Sequence, residues 1–183
     1  MKTESSVKFV ARLAVTLFAI TAVVAAALAG VNSITAPIIA ESKAAKIQAA
    51  INEVLPGGGE AVDFTDHSGW VSAVYESDAG YAVEVTPTTG FNGAITMMVG
   101  IDTQGNILGI SVVSQTETAG LGAVCAAKTS AGEAFRGNFV GLSGSVAVDK
   151  DGGEVDAITG ATITSRAVCD GVNAALACVA NMG

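Results

Sequence analysis

The N-terminal part of the chain contains one long segment without a charged side chain. It runs from Leu13 to Ala40, and its first part, up to Val31, consists mainly of Ala, Val, Leu and Ile. A helix needs about 20 apolar residues to cross the ~30 Å hydrocarbon core of a bilayer. The sequence therefore predicts a transmembrane helix over residues 13–33.

The charges on either side of this segment predict its orientation. Lys2, Lys8 and Arg12 precede it, and Glu41 is the first charged residue after it. Because positively charged flanks usually remain in the cytoplasm, we expect residues 1–12 to be cytoplasmic. The remainder of the chain would then lie on the outer side of the cell membrane.

A cleaved signal peptide is the alternative interpretation of the same segment. Ala27 and Ala29, followed by Gly30, resemble a small-residue cleavage site. The apolar segment is long for a signal peptide and continues into a second predicted helix, so a retained anchor is favoured. Both interpretations place the main domain outside the cytoplasm.

The chain beyond residue 35 is acidic. It contains six Lys or Arg and sixteen Asp or Glu, since only Lys2, Lys8, Arg12 and Glu4 precede it. Binding to nucleic acid requires a basic surface, so the composition excludes nucleic acid as a partner.

Hydrophobic periodicity and turn residues predict an α+β organisation. Residues 36–55 are predicted to form a helix with Pro37 in its first turn, ended by Pro56 and three glycines. Alternating apolar residues separated by turn signals predict strands at 70–75, 81–86, 94–101, 107–113 and 145–148. Further helices are predicted at 123–128, 131–135 and from Thr162 onward, and the short connections favour antiparallel pairing.

The cysteines and the histidine do not predict a redox or metal site. The three cysteines, Cys125, Cys169 and Cys178, have no CxxC spacing and are an odd number, so we expect three small core residues. His67 is the only histidine, and it has no neighbouring ligand residues with the spacing of a zinc site. No metal site is predicted.

The segment 156–165 combines small residues with threonines at the start of a predicted helix. Thr159 and Thr162 are both candidates for an N-cap or first-turn position, and Gly160 and Ala161 allow close approach of another group. A helix N-terminus suits a phosphate, and Arg166 adds a cation one turn on. These residues fit either a phosphate site or a capped helix without a ligand.

The same segment resembles the acceptor motif of the FMN-binding domain family. That family includes the G subunit of the Rnf complex and the C subunit of the sodium-pumping NADH:quinone oxidoreductase. The resemblance implies that a flavin transferase joins FMN through a phosphoester to the hydroxyl of Thr162. Asp156, Thr159, Gly160 and Ala161 correspond to the remainder of the motif that the transferase recognises.

Two further segments carry the resemblance in the same order along the chain. Residues 117–122 resemble the Glu-Thr-Pro-Gly-Leu-Gly loop of the family, with Ala119 in place of the usual proline. Residues 90–93 resemble the family's Gly-aromatic-x-Gly segment before a strand. Three motifs in one order, together with the anchor, cover most of the chain and favour the Rnf-type subunit.

The resemblance also implies which residues surround the flavin. One wall of the flavin site is expected to contain Thr118, Gly120, Leu121 and Gly122, with Leu121 against the ring. Glu117 either orients this loop or is exposed. Lys150 either neutralises the phosphate or is an ordinary surface lysine. Trp70 and Tyr81 are candidates for stacking on the flavin, although strand aromatics more often pack in the core.

The complete prediction is an α+β protein with a single transmembrane helix and one FMN-binding domain. Its parts are a cytoplasmic N-terminus (1–12), the transmembrane helix (13–33), a stalk helix and linker (34–59) and an extracytoplasmic domain (60–183) with a mostly antiparallel sheet and flanking helices. The resemblance implies covalent FMN as the cofactor.

The function implied by the resemblance is electron transfer within a membrane-bound, ion-translocating ferredoxin:NAD oxidoreductase. Its partners would be other membrane subunits and, during maturation, a flavin transferase, and the chain itself would have no catalytic residues. One alternative is a subunit of a sodium-pumping NADH:quinone oxidoreductase or another extracytoplasmic flavin reductase. A second is an anchored binding module without flavin, and modification of Thr162 discriminates between these classes.

Overall fold

The computed structural model describes residues 3–182, with the side chains of residues 7–182. The chain divides into two compact units, Met1–Ala45 and Lys46–Gly183. Helix α1, Thr3–Val54, begins in the first unit and ends in the second. Helix α1 is long and apolar enough to cross a membrane. Large apolar side chains such as Phe18 are exposed on it, as expected of a surface that faces lipid.

The prediction of a separate helix with Pro37 in its first turn is wrong, because α1 continues through Pro37. Proline removes one backbone donor, but its fixed φ is compatible with a helix. The hydroxyls in this part of α1 donate to carbonyls one turn earlier, as Thr35 Oγ1 does to Val31 O at 3.1 Å. The four hydroxyl groups between residues 13 and 40 are thereby satisfied within the helix, as a bilayer requires.

The C-terminal end of α1 packs on one face of the sheet within the second unit. A small buried cluster forms there from Ala50, Ile51, Val54, Leu55, Ala82 and Met98. Glu53 Oε2 accepts a hydrogen bond of 2.6 Å from Ser111 Oγ. Gly100 lies directly beneath Val54, where a Cβ atom would be 2.2 Å from the Val54 carbonyl oxygen. This contact requires glycine at position 100.

A five-stranded antiparallel sheet forms the centre of the second unit. Its strands are β1 Glu60–Val62, β2 Val71–Ser77, β3 Gly80–Val85, β4 Thr96–Asp102 and β5 Ile107–Ser114, and they lie side by side in chain order. The four longer strands and their antiparallel pairing confirm the sequence prediction. Strand β1 was not predicted, because three residues are too few to show a period.

The prediction of a strand at 145–148 is wrong. Val148 makes only an isolated parallel bridge to Val155. The backbone of Val146 is instead paired with the side chain of Asn173, which accepts from its N–H at 2.8 Å and donates to its carbonyl at 2.9 Å. One amide side chain thus supplies the hydrogen bonds that a neighbouring strand would otherwise provide.

Helical segments cover the other face of the sheet. A 3₁₀ turn spans Gly122–Ala126, α2 spans Ser130–Gly137, and α3 spans Thr162–Ala180, which confirms the three predicted helical segments. A second 3₁₀ turn, Asp149–Asp151, was not predicted. The apolar face of α3 is buried in the main core, to which it contributes Val168, Val172, Ala175 and Leu176.

The three cysteines are buried with free thiols, as predicted for core residues. Burial raises the pKa of Cys125 to about 11, with a further contribution from the nearby charge of Glu117. Burial likewise raises the pKa of Cys169 to about 12. Since the thiolate is the reactive form, these side chains act as apolar packing groups.

Candidate functional site

The first turn of α3 and two loops enclose a cavity of about 300 Å³, which we call the Thr162 cavity. The three chain segments are far apart in sequence, and the fold brings them together. The cavity is lined by Phe91, Glu117, Thr118, Leu121, Gly122, Gly160, Ala161, Thr162, Ile163 and Thr164.

The loop before α3 is shaped by two hydrogen bonds, one to a side chain and one within the backbone. Ile158 N donates to Ser165 Oγ at 3.0 Å, and Ala161 N donates to Ile158 O at 2.9 Å. Gly160 has a φ of +76°, a left-handed conformation that glycine adopts without steric cost. Thr162 is therefore the first residue of α3, at the edge of the Thr162 cavity.

The N-terminus of α3 has no side-chain cap. Its N-cap residue is Ala161, which makes no capping hydrogen bond. Of the two candidates from the sequence, Thr162 occupies the first turn, whereas Thr159 lies outside the helix and is exposed. Uncapped N–H groups at a helix start can donate to an anionic ligand.

A lysine contacts the hydroxyl at this position. Lys150 Nζ, in the turn Asp149–Asp151, donates to Thr162 Oγ1 at 2.9 Å. Lys150 is exposed, and its ammonium group lies beside Thr162 Oγ1, where it could neutralise a phosphate attached there.

Arg166, considered as a further cation for the site, is paired elsewhere. Its guanidinium binds both carboxylate oxygens of Asp151 at 2.6 Å, and this hydrogen bonding lowers the pKa of Asp151. Arg166 therefore holds the turn that carries Lys150 and does not face Thr162 Oγ1 itself. The pair is exposed, so its contribution to stability is small.

Glu117 is buried and joins the three segments of the site. Its side chain is only 8% exposed. Oε2 accepts a hydrogen bond of 2.5 Å from Thr164 Oγ1, and Oε1 accepts one of 3.0 Å from Asn92 N. Of the two roles considered for Glu117, exposed residue or organiser of the loop, the structure supports the second.

The loop 117–122 closes without the proline that is usual in its family. Thr118 O accepts hydrogen bonds of 3.1 Å from both Leu121 N and Ala123 N, and Gly120 has a φ of +76°. These bonds fix the turn around Ala119. Leu121 is 44% exposed and lies in the wall of the Thr162 cavity.

Two apolar residues of the cavity were not singled out by the sequence analysis as site residues. Phe91 is 63% exposed and Ile163 is 48% exposed, and both line the Thr162 cavity. The available signal for Phe91 was its place between Gly90 and Gly93. Tyr81, by contrast, donates to Glu76 at 3.2 Å and lines a different cleft.

The structure divides ten of the eleven predicted site residues between two cavities, and Lys150 lines neither of them. Glu117, Thr118, Leu121, Gly122, Gly160, Ala161 and Thr162 line the Thr162 cavity. Gly120, Asp156 and Thr159 line a second cavity of about 380 Å³ beside α2. Asp156 and Thr159 are exposed, so their side chains are accessible to another protein.

Gly122 lies where an added side chain would disturb the hydrogen bond between Glu117 and Thr164. A Cβ atom there would lie 2.4 Å from Thr164 Oγ1 and 2.6 Å from Glu117 Oε2. Gly122→Ala is expected to displace Glu117 and to cost about 1–3 kcal/mol of unfolding free energy. Thermal unfolding would measure this, with Gly137→Ala as the control because nothing lies within 4 Å of its Cβ position. Equal melting temperatures for the two variants would contradict the prediction.

The arrangement fits a flavin mononucleotide. The ammonium of Lys150, the hydroxyl of Thr162 and the uncapped start of α3 suit its phosphate. The apolar side chains of Phe91, Leu121 and Ile163 suit an isoalloxazine ring, which requires apolar packing with few polar contacts.

Comparison with known families agrees with this fit. A family model described as the FMN-binding domain matches residues 90–177, which include the three site segments. A second, described as the RnfG N-terminal region, matches residues 1–54. The second unit therefore contains an FMN-binding domain.

Individual relatives match nearly the whole chain. The G subunit of the Na(+)-translocating ferredoxin:NAD(+) oxidoreductase complex of Acetobacterium woodii is 34% identical, over 99% of this chain and 97% of that protein. The G subunit of the ion-translocating oxidoreductase complex of Methanosarcina acetivorans is 33% identical over 94% and 95%. The corresponding protein of Yersinia pestis is 36% identical over 80% and 79%. The chain belongs to the family of G subunits of ion-translocating oxidoreductase complexes, and the predicted resemblance is confirmed.

Proposed function

We propose that this protein is an electron-transfer subunit of a membrane-bound, ion-translocating ferredoxin:NAD oxidoreductase and carries FMN as a phosphoester of Thr162. The observation that carries the proposal is the 2.9 Å contact between Lys150 Nζ and Thr162 Oγ1 at the edge of an apolar cavity. The names of the relatives, in particular that from Acetobacterium woodii, support the reaction class.

The attachment needs an accessible hydroxyl and a place for a phosphate. A bond forms between Thr162 Oγ1 and the phosphorus of the FMN half of FAD, the pyrophosphate bond breaks, and AMP leaves. The ammonium of Lys150 is the donor in its contact with Oγ1, so the hydroxyl proton remains free to pass to a base. A threonine hydroxyl is a poor nucleophile without such a base, which we assign to the flavin transferase.

The motif residues would have different roles in the attachment of FMN. Gly160 and Ala161 are small, leave space around Thr162 and lie in the cavity wall. Asp156 and Thr159 face outward, where a transferase can bind them without entering the Thr162 cavity. We propose that these two exposed side chains belong to the recognition surface for the maturation enzyme.

The remaining site residues would contact the isoalloxazine ring of FMN. When bound, FMN supplies the electron transfer, and the chain itself turns over no substrate. Leu121, Phe91 and Ile163 provide apolar contacts, and Thr118 and Gly122 complete the wall. These apolar side chains are themselves partly exposed, so a ring packed on them remains close to the protein surface, within reach of a neighbouring redox centre.

We further propose that residues 13–33 anchor the protein in the cell membrane, with residues 1–12 in the cytoplasm. Residues 34–59 would form the stalk and linker, and residues 60–183 the extracytoplasmic domain. The support is the long apolar α1 and the positive charges before it. The partners would be other membrane subunits of the complex.

Intact-mass measurement tests the proposal directly. The full chain would be produced together with a flavin transferase and purified in detergent. We expect the mass of the chain plus FMN minus one water, and flavin fluorescence that persists in a denaturing gel. An unmodified mass in the presence of an active transferase would overturn the proposal and leave an anchored module without covalent flavin.

Lys150→Met tests the contact that carries the proposal. The substitution keeps the length of the side chain but removes its charge, so flavin attachment should slow by about three- to tenfold, the effect of losing one partly solvent-screened, charge-assisted hydrogen bond. The rate would be followed by in-gel fluorescence during attachment in vitro. Lys128→Met, at an exposed lysine, should match the wild type. Equal rates for the two variants would show that Lys150 does not act on Thr162.

A further inference from the structure

Glu117 is a buried carboxylate without a cation partner, placed in the wall of the Thr162 cavity. Among the described side chains, no Lys, Arg or His lies within 4 Å of its oxygens, the recorded ion pair being Arg166 with Asp151. A buried charge is costly unless its oxygens are hydrogen-bonded. Its presence in the wall of this cavity calls for an explanation beyond packing.

The hydrogen bonds of Glu117 suit an ionised group. Oε1 accepts from the backbone N–H of Asn92 at 3.0 Å, and Oε2 accepts from the hydroxyl of Thr164 at 2.5 Å. Both oxygens act as acceptors, which suits a carboxylate that carries no proton of its own. The negative charge is therefore held in place by neutral dipoles and is not cancelled by an opposite charge.

Two glycines allow the carboxylate to occupy this position. A Cβ atom at Gly90 would lie 2.8 Å from Oε1, and one at Gly122 would lie 2.6 Å from Oε2. The backbone thus surrounds the carboxylate closely, and the residue is only 8% exposed. A charge in such surroundings acts on its neighbours more strongly than one in solvent, because the local dielectric constant is lower.

We infer that Glu117 lowers the midpoint potential of the FMN, an inference that rests on the proposed function. Reduction adds electrons to the isoalloxazine ring, and a fixed negative charge in the same cavity opposes that addition. Lys150, the cation of the site, lies instead beside Thr162 Oγ1, at the phosphate end of the cofactor. The site thus separates a positive charge that holds the phosphate from a negative charge that sets the potential.

Glu117→Gln separates this electrostatic role from a purely structural one. The amide keeps the shape and one oxygen acceptor but removes the charge. The full chain, loaded with FMN in a host that produces the transferase, would be titrated by anaerobic spectroelectrochemistry in detergent. We expect a more positive midpoint potential than in the wild type. Glu133→Gln, in the exposed first turn of α2, should leave the potential unchanged, because solvent screens its charge.

The outcomes distinguish the inference from the proposed function. An FMN-loaded Glu117→Gln protein with the wild-type potential would overturn the inference alone and reduce Glu117 to a structural link. A wild-type chain that carries no FMN would overturn the proposed function and the inference with it. If Glu117→Gln fails to fold or to load, Glu117→Met takes its place. It also removes the charge, with a side chain of similar length, so the potential should again become more positive, and an unchanged potential would overturn the inference.

Discussion

Replacing Thr162 by valine is expected to abolish the covalent flavin while leaving the protein folded. Valine has nearly the shape of threonine, and among the side chains that the structure describes only the exposed Lys150 hydrogen-bonds to the hydroxyl of Thr162, at 2.9 Å. Its loss should therefore change stability little, whereas no other atom at this position can form the phosphoester. Intact mass and in-gel fluorescence should both show an unmodified chain, with a melting temperature close to that of the unmodified wild type.

Two companion variants make this result specific. Thr162→Ser keeps a hydroxyl at the same position and should retain part of the flavin. Thr103→Val makes the same exchange at an exposed turn and should retain all of it. Persistent FMN mass on Thr162→Val would place the attachment at another residue. Loss of flavin from Thr103→Val would point instead to a general defect in folding or loading.

Gly100→Ala is expected to cause a large loss of stability, because the added methyl group would collide with the backbone of α1. A Cβ atom at Gly100 would lie 2.2 Å from Val54 O and 2.9 Å from Val54 C. These are backbone atoms of α1 and cannot rotate away, so the helix end must shift and open the cluster of Ile51 and Leu55. We expect a cost of about 3 kcal/mol and a melting temperature lower by about 10 °C.

The opposite glycine in the sheet provides a matched control. Gly109 is paired with Gly100 across β4 and β5, and nothing lies within 4 Å of its Cβ position. Gly109→Ala should therefore melt within a few degrees of the wild type. Both variants would be followed in detergent by the fluorescence of Trp70, the only tryptophan. Similar melting temperatures for Gly100→Ala and Gly109→Ala would show that the end of α1 does not pack tightly against β4.

The candidate site, like the contact between α1 and β4, requires glycines where two segments of the chain come close together. Loops from three parts of the chain meet at the start of α3 because glycines remove side chains where Glu117 and Thr164 must fit. The apolar rim formed by Phe91, Leu121 and Ile163 then remains exposed. A soluble domain keeps such groups at its surface when a ligand or partner covers them, in agreement with an FMN site close to the surface.

Several features could be predicted because they are local. Alternating apolar residues identified β2 to β5, and the helical pattern after Thr162 identified α3. The acceptor motif identified Thr162 as the attachment residue, a prediction that mass measurement has still to test. Strand 145–148 was predicted wrongly because its period does not reveal that Asn173, far along the chain, takes the place of a neighbouring strand.

The sequence by itself determined the apolar N-terminal segment, the antiparallel pairing of the four longer strands and the motif at the start of α3, because each depends on neighbouring residues and their period. Only the tertiary structure decided that Lys150 contacts Thr162, that Arg166 is held by Asp151, and that Glu117 is buried between two loops and a helix. These contacts join residues whose separation along the chain carries no pattern. Their geometry is set by the packing of the whole domain, in which the positions of glycines and buried hydrogen bonds select one arrangement of the loops.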